Sequence, residues 1–199
     1  NGVSDQTING SNLPSVLDNI IVNKASGNLT IDHALSVNSL NLTNGTVFVN
    51  ANKSLRLSNT LSRTNGKIAG TGTVIFEGPN SIISNLFDSN ISNNNITLNK
   101  STTNFSVPNN FEIRGNLALE QGTIVVNNNE RLNLGGGVVK NQGFLNVKNA
   151  TLGFVGSVAQ NIGSGVFVDN EVKIIDKVDS GAVNFLGNTI VTELLSPNG

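Results

Sequence analysis

The side chains of this chain that could do chemistry are few, and its acidic residues gather most densely near the C-terminus. Asp169, Glu171, Asp176 and Asp179 lie close together, with Lys173 and Lys177 between them. Carboxylates so grouped offer the hard oxygens that Ca²⁺ takes, and stacked acids and bases are what proton-transfer cleavage of a polysaccharide needs. The interleaved lysines weigh toward ordinary solvated ion pairs. His33 is the one histidine and follows Asp32. Neighbours on a strand project to opposite faces, so these two do not converge on a proton or a metal, and a solvated turn is the expectation. Leu134-Gly135-Gly136-Gly137-Val138 lacks both the Lys-Ser/Thr of a phosphate loop and the Asp of a calcium-binding nonapeptide, which leaves a tight corner. Cysteine is absent, and with it any thiolate nucleophile, disulfide or Cys-based metal site. No residue is assigned a catalytic, cofactor-binding or metal-binding role, and the chain reads as a non-enzyme.

What must position these residues is a recurring apolar triplet, aliphatic–any–aliphatic. It appears as Leu35-Ser36-Val37, Leu40-Asn41-Leu42, Val47-Phe48-Val49 and Leu55-Arg56-Leu57, and again as Phe111-Glu112-Ile113, Leu117-Ala118-Leu119, Ile124-Val125-Val126 and Leu132-Asn133-Leu134. Strict alternation over so few residues marks a short strand with one face inward. Triplets recur about one coil apart: Val47 to Ile68, Leu55 to Val74, Ile96 to Leu117, Phe111 to Leu132, and Ile124 to Phe144. Return at a fixed spacing is the mark of a solenoid. The predicted fold is all-β, a right-handed parallel β-helix with about three short strands per coil of roughly 20 residues. No window carries helical periodicity over three turns.

Composition fits that reading. The chain holds 36 Asn and 21 Gly, residues that turn the backbone readily. Charged residues make up 13% and the net charge is -1, which leaves no basic face for nucleic-acid phosphates or anionic lipid. No apolar run approaches the length of a membrane span, so neither nucleic acid nor membrane insertion is expected. Asn-x-Ser/Thr recurs, but among so many Asn, Ser and Thr it carries little weight as a glycosylation signal. With Asn1 first and no Met anywhere, the chain is expected to be a piece of a longer product. Residues 1–18 read as an irregular N-terminal segment or cap, 19–199 as the β-helix, and the stretch near 80–95 as an irregular coil or loop.

A longer repeat is superimposed on the short one. Gly2-Val3-Ser4-Asp5-Gln6-Thr7-Ile8 lines up with Gly156-Ser157-Val158-Ala159-Gln160-Asn161-Ile162, and Lys24-Ala25-Ser26-Gly27 with Lys177-Val178-Asp179-Ser180-Gly181. The run Val158-Ala159-Gln160-Asn161-Ile162, and the cadence Gly27-Asn28-Leu29-Thr30-Ile31…Ala34-Leu35-Ser36-Val37…Leu40-Asn41-Leu42, resemble repeat-rich secreted β-solenoid surface proteins of the Bacteroidota, which are adhesin-like. The resemblance implies export, display at the cell surface or in an extracellular fibre, and no catalytic residues to carry over.

The expected function is therefore a non-enzymatic structural or adhesin-like stalk. The alternatives are a carbohydrate-binding or carbohydrate-cleaving β-helix and a β-rich subunit of an extracellular filament. Self-association, neighbouring repeats of the same protein, or a surface glycan would be its partners. Three residues are candidates for partner contact. Val125, Leu145 and Phe167, each taken as the middle of a triplet, would stack as an outward apolar stripe large enough to mark a contact surface.

Overall fold

In the computed structural model, which describes residues 2–10, 12–77, 86–107 and 111–195, the protein is a parallel β-solenoid of about eight turns, each of roughly 21 residues. No helix occurs among the described residues. The coils fall into two compact units, residues 1–95 and 96–199. In the first lie β1 (Gln6–Ile8), β2 (Leu17–Ile31), β3 (Leu35–Val49), β4 (Ser54–Arg63), β5 (Lys67–Gly70), β6 (Thr73–Phe76) and β7 (Phe87–Ser92). The second is built from β8 (Asn95–Val107), β9 (Phe111–Ile113), β10 (Leu117–Val126), β11 (Arg131–Leu134), β12 (Val138–Lys140), β13 (Phe144–Phe154), β14 (Gln160–Ile162), β15 (Phe167–Lys177), β16 (Val183–Phe185) and β17 (Ile190–Leu195).

Each unit has three stacked faces, as three strands per coil require. In the second unit one ladder runs Ile96, Leu117, Val138, Ile162, Phe185. Another runs Phe105, Ile124, Leu145, Phe167, and the third Phe111, Leu132, Leu152, Ile175, Leu194. In the first unit the ladders are Ile8–Ile31–Val49–Gly70, Leu35–Leu55–Val74 and Ile20–Leu40–Leu61. The steps vary from 18 residues (Leu29 to Val47) to 24 (Val138 to Ile162), with the slack absorbed at corners.

Alternation does the sorting. Leu117, Leu119, Ile124, Val126, Leu132 and Leu134 are all buried, while Ala118, Val125 and Asn133 between them are half-exposed. A parallel ladder satisfies the backbone of every interior strand on both sides, so the apolar residues enter the core without stranding amides. Corners demand left-handed backbone, and Asn52 and Asn129 supply it with φ of 60° and 63°. Asn tolerates that region better than other side chains, which accounts for part of its abundance.

Two expectations about segments are modified. Gln6–Ile8, within the stretch read as irregular, is a strand that pairs in register with Leu29–Ile31. Its single aliphatic residue lay below the pattern's threshold. Of the stretch near 80–95, residues 80–85 lie outside the described residues. Beyond them Leu86 is buried, and β7 pairs with β5 across a register shift.

Candidate functional site

The acidic cluster resolves into ion pairs with cations of neighbouring strands. Lys148 in β13 bonds Asp169 and stands 3.6 Å from Glu171. The bond to Asp169 holds its ammonium above the usual lysine range. Arg131 in β11 pairs with Asp176 at 2.5 Å and donates to Asn133 at 2.6 Å, and Lys177 bonds the Asp179 backbone oxygen. Among the described residues no three His, Asp or Glu side chains are grouped to hold a metal ion. His33 is exposed in the turn between β2 and β3, while Asp32 accepts from Asn50 one coil on at 2.9 Å.

The abundant polar side chains form rungs of the same kind. Asn38 donates to Asp18 at 3.1 Å, Ser106 to Asn127 at 3.1 Å and Asn184 to Asn161 at 3.0 Å, each pair bridging adjacent coils. Polar groups that might otherwise meet a ligand are spent on stacking. The glycine run after Leu134 is a corner: a Cβ on Gly136 would fall 2.5 Å from the Gly115 carbonyl oxygen. Buried Gln160 braces that corner, accepting from the Gly156 amide and donating to the Leu134 and Gly136 carbonyls at 2.8 and 3.0 Å.

The expected outward stripe does not exist. Leu145 is 0% exposed and Phe167 3%, for both stack inward on Ile124. Val125 is half-exposed and stacks instead on Ser106 and Asn146. The reason is frame: the coil from Ile124 closes on Leu145 rather than on Phe144, and a slip of one residue exchanges inside for outside. Phe144, not Leu145, faces outward, with the Lys140 ammonium 4.3 Å from its ring centre. The proposal of a contact stripe through Val125, Leu145 and Phe167 is thereby overturned.

An apolar groove lies elsewhere, bounded by β15, β16 and β17. It encloses about 590 Å³ and is lined by Ile175, Val183, Phe185 and Val191 among others. Phe185 meets the Phe154 ring edge-on at 6.0 Å and the Phe167 ring at 6.2 Å, yet remains half-exposed. Leu186 and Ile190 beside it are each 64% exposed. Triplet counting misses this groove, because β16 reads Val-Asn-Phe like any other inward strand. The signal that could have found it is the long repeat, which makes β16 the counterpart of the covered Leu29–Ile31. No protein-family model, curated protein or solved structure matches the chain.

Proposed function

We propose that this chain is a structural segment of an extracellular surface protein or fibre, a stalk that holds other parts of its assembly rather than an enzyme. One observation carries the reading. The same coil is built twice: Gln6 stacks on Leu29 and Gln160 on Val183, each at a step of 23 residues, and Ile8 on Ile31 as Ile162 on Phe185. A repeated coil in a repeated register is the unit of an array that grows by stacking, and an active site gains nothing from such duplication. The ion pairs and Asn rungs support it too, since the charged and polar groups are engaged between coils. Export and surface display follow from the resemblance of the repeat to secreted surface solenoids.

The test is a search for turnover with a positive counterpart. Incubation with pectin- and alginate-like polymers should release neither unsaturated products nor new reducing ends. A tandem duplication of the repeat should fold and lengthen in solution scattering in proportion to the coils added. Cleavage that disappears with Asp176→Asn would defeat the reading.

A further inference from the structure

Of the two matching coils, one is covered and the other is not. In the first unit Leu29–Ile31 carries Gln6–Ile8 on one edge and Val47–Val49 of β3 on the other. In the second, Val183–Phe185 carries Gln160–Ile162 at the same step, and no strand among the described residues pairs with its other edge. The match extends to the corners. A Cβ on Gly27 would fall 2.7 Å from the Ser4 backbone, and one on Gly181 would fall 2.2 Å from the carbonyl of Val158, the counterpart of Ser4. The backbone approach that forces glycine is thus the same in both coils.

From this we infer that the free edge of β16 and β17 is a stacking surface for one further parallel coil of the Leu35–Val49 pattern, supplied by another unit of the same repeat. The inference rests on the stalk reading. The interface it invokes already exists in the molecule as the β2–β3 ladder, where Val47 and Val49 are buried over Leu29 and Ile31. Carried onto β16, the same two valines would lie over Val183 and Phe185 and close the groove that β15, β16 and β17 leave open. The ladder continues by one ordinary step of about 4.8 Å. The free edge of β1 in a second copy is a poorer occupant, since Gln6-Thr7-Ile8 offers a single aliphatic side chain.

The experiment is a chain in which residues 186–199 are replaced by a second copy of residues 32–77, which follows Phe185 as the original follows Ile31. Hydrogen exchange is read at Val183–Phe185 in the extended and parent chains. The extended chain should exchange there at least about tenfold more slowly and melt higher. Both gains should vanish when Val47→Asp and Val49→Asp are made in the appended copy alone. Parent-rate exchange at Val183–Phe185 overturns the proposal, as does an equal gain from the Asp-bearing control. Loss of protection at Leu152–Phe154 also counts against it, because a coil of the right pattern would not unfold the one it lands on. If the parent dimerises with concentration and protects the same amides, the edge belongs to a second copy and the proposal fails. Polysaccharide turnover would sink the stalk reading without touching these results, and failed stacking would leave absent turnover intact.

Discussion

Ile31 and Phe185 occupy the same place in the same kind of coil, yet Ile31 is buried and Phe185 is half-exposed. Both follow a strand that begins one coil after a glutamine, and both stack on an isoleucine of the preceding strand. What differs is the neighbour on the far side, β3 for Ile31 and no described strand for Phe185. The comparison separates two things a solenoid sequence encodes. Where a side chain points is local, set by alternation and corner geometry; how deeply it is buried depends on the next coil, some 20 residues away.

The comparison breaks most visibly under a buried charge. Leu132→Asp puts a carboxylate between Phe111 and Leu152, with apolar coils on both sides. It should cost several kcal/mol and unfold the second unit in a thermal melt. Val183→Asp, at the open edge, should lower the melting temperature by well under half as much. Equal losses would mean that β16 is as enclosed as β11.

Corner glycines come next. Gly27 sits at φ +70° with the Ser4 backbone in the way of a Cβ, whereas Gly165, at φ +63°, has nothing within 4 Å. Gly27→Ala should therefore cost about 2–3 kcal/mol, and Gly165→Ala about 1 kcal/mol from backbone strain alone. Denaturant titration of the two variants separates clash from conformation.

A smaller effect sharpens the comparison at its paired lysines. Lys24 is buried at 2% exposure, donating to the Ser4 carbonyl at 2.7 Å and to Gln6 at 3.1 Å. Lys177, its counterpart in the second coil, bonds a backbone oxygen in an exposed setting. Lys24→Met leaves the Ser4 carbonyl without its donor and should cost about 1–2 kcal/mol; Lys177→Met should be nearly silent. The smallest effect is with pH. The Lys148 pKa is raised in the folded state by Asp169, so its contribution is complete below the ordinary lysine value of about 10.4 and fades as pH rises through the folded one. A slight extra loss of melting temperature above that pH, absent in Lys148→Met, is the expected trace.

Much of this architecture was legible because strict alternation is self-announcing. Leu117-Ala118-Leu119 and Leu132-Asn133-Leu134 admit one frame, and the structure adopts it. Phe144-Leu145-Asn146-Val147 admits two, since apolar residues occupy both phases. Only the stack on Ile124 selects Leu145 and Val147, and the steps between coils are too variable to reveal that from spacing. Gln160 was unreadable for another reason: a buried glutamine looks like an exposed one until the Leu134 and Gly136 carbonyls it serves are in place. The open groove could be anticipated only by pairing the two copies of the coil and asking what lies beyond each.

The most direct measurement is residue-resolved amide hydrogen exchange on the intact chain, comparing Leu29–Ile31 with Val183–Phe185. The two strands share a register and a preceding partner, so any difference reports the missing coil alone. Protection at Leu29–Ile31 should exceed that at Val183–Phe185 by at least about a hundredfold. Equal protection of the two strands would contradict the account.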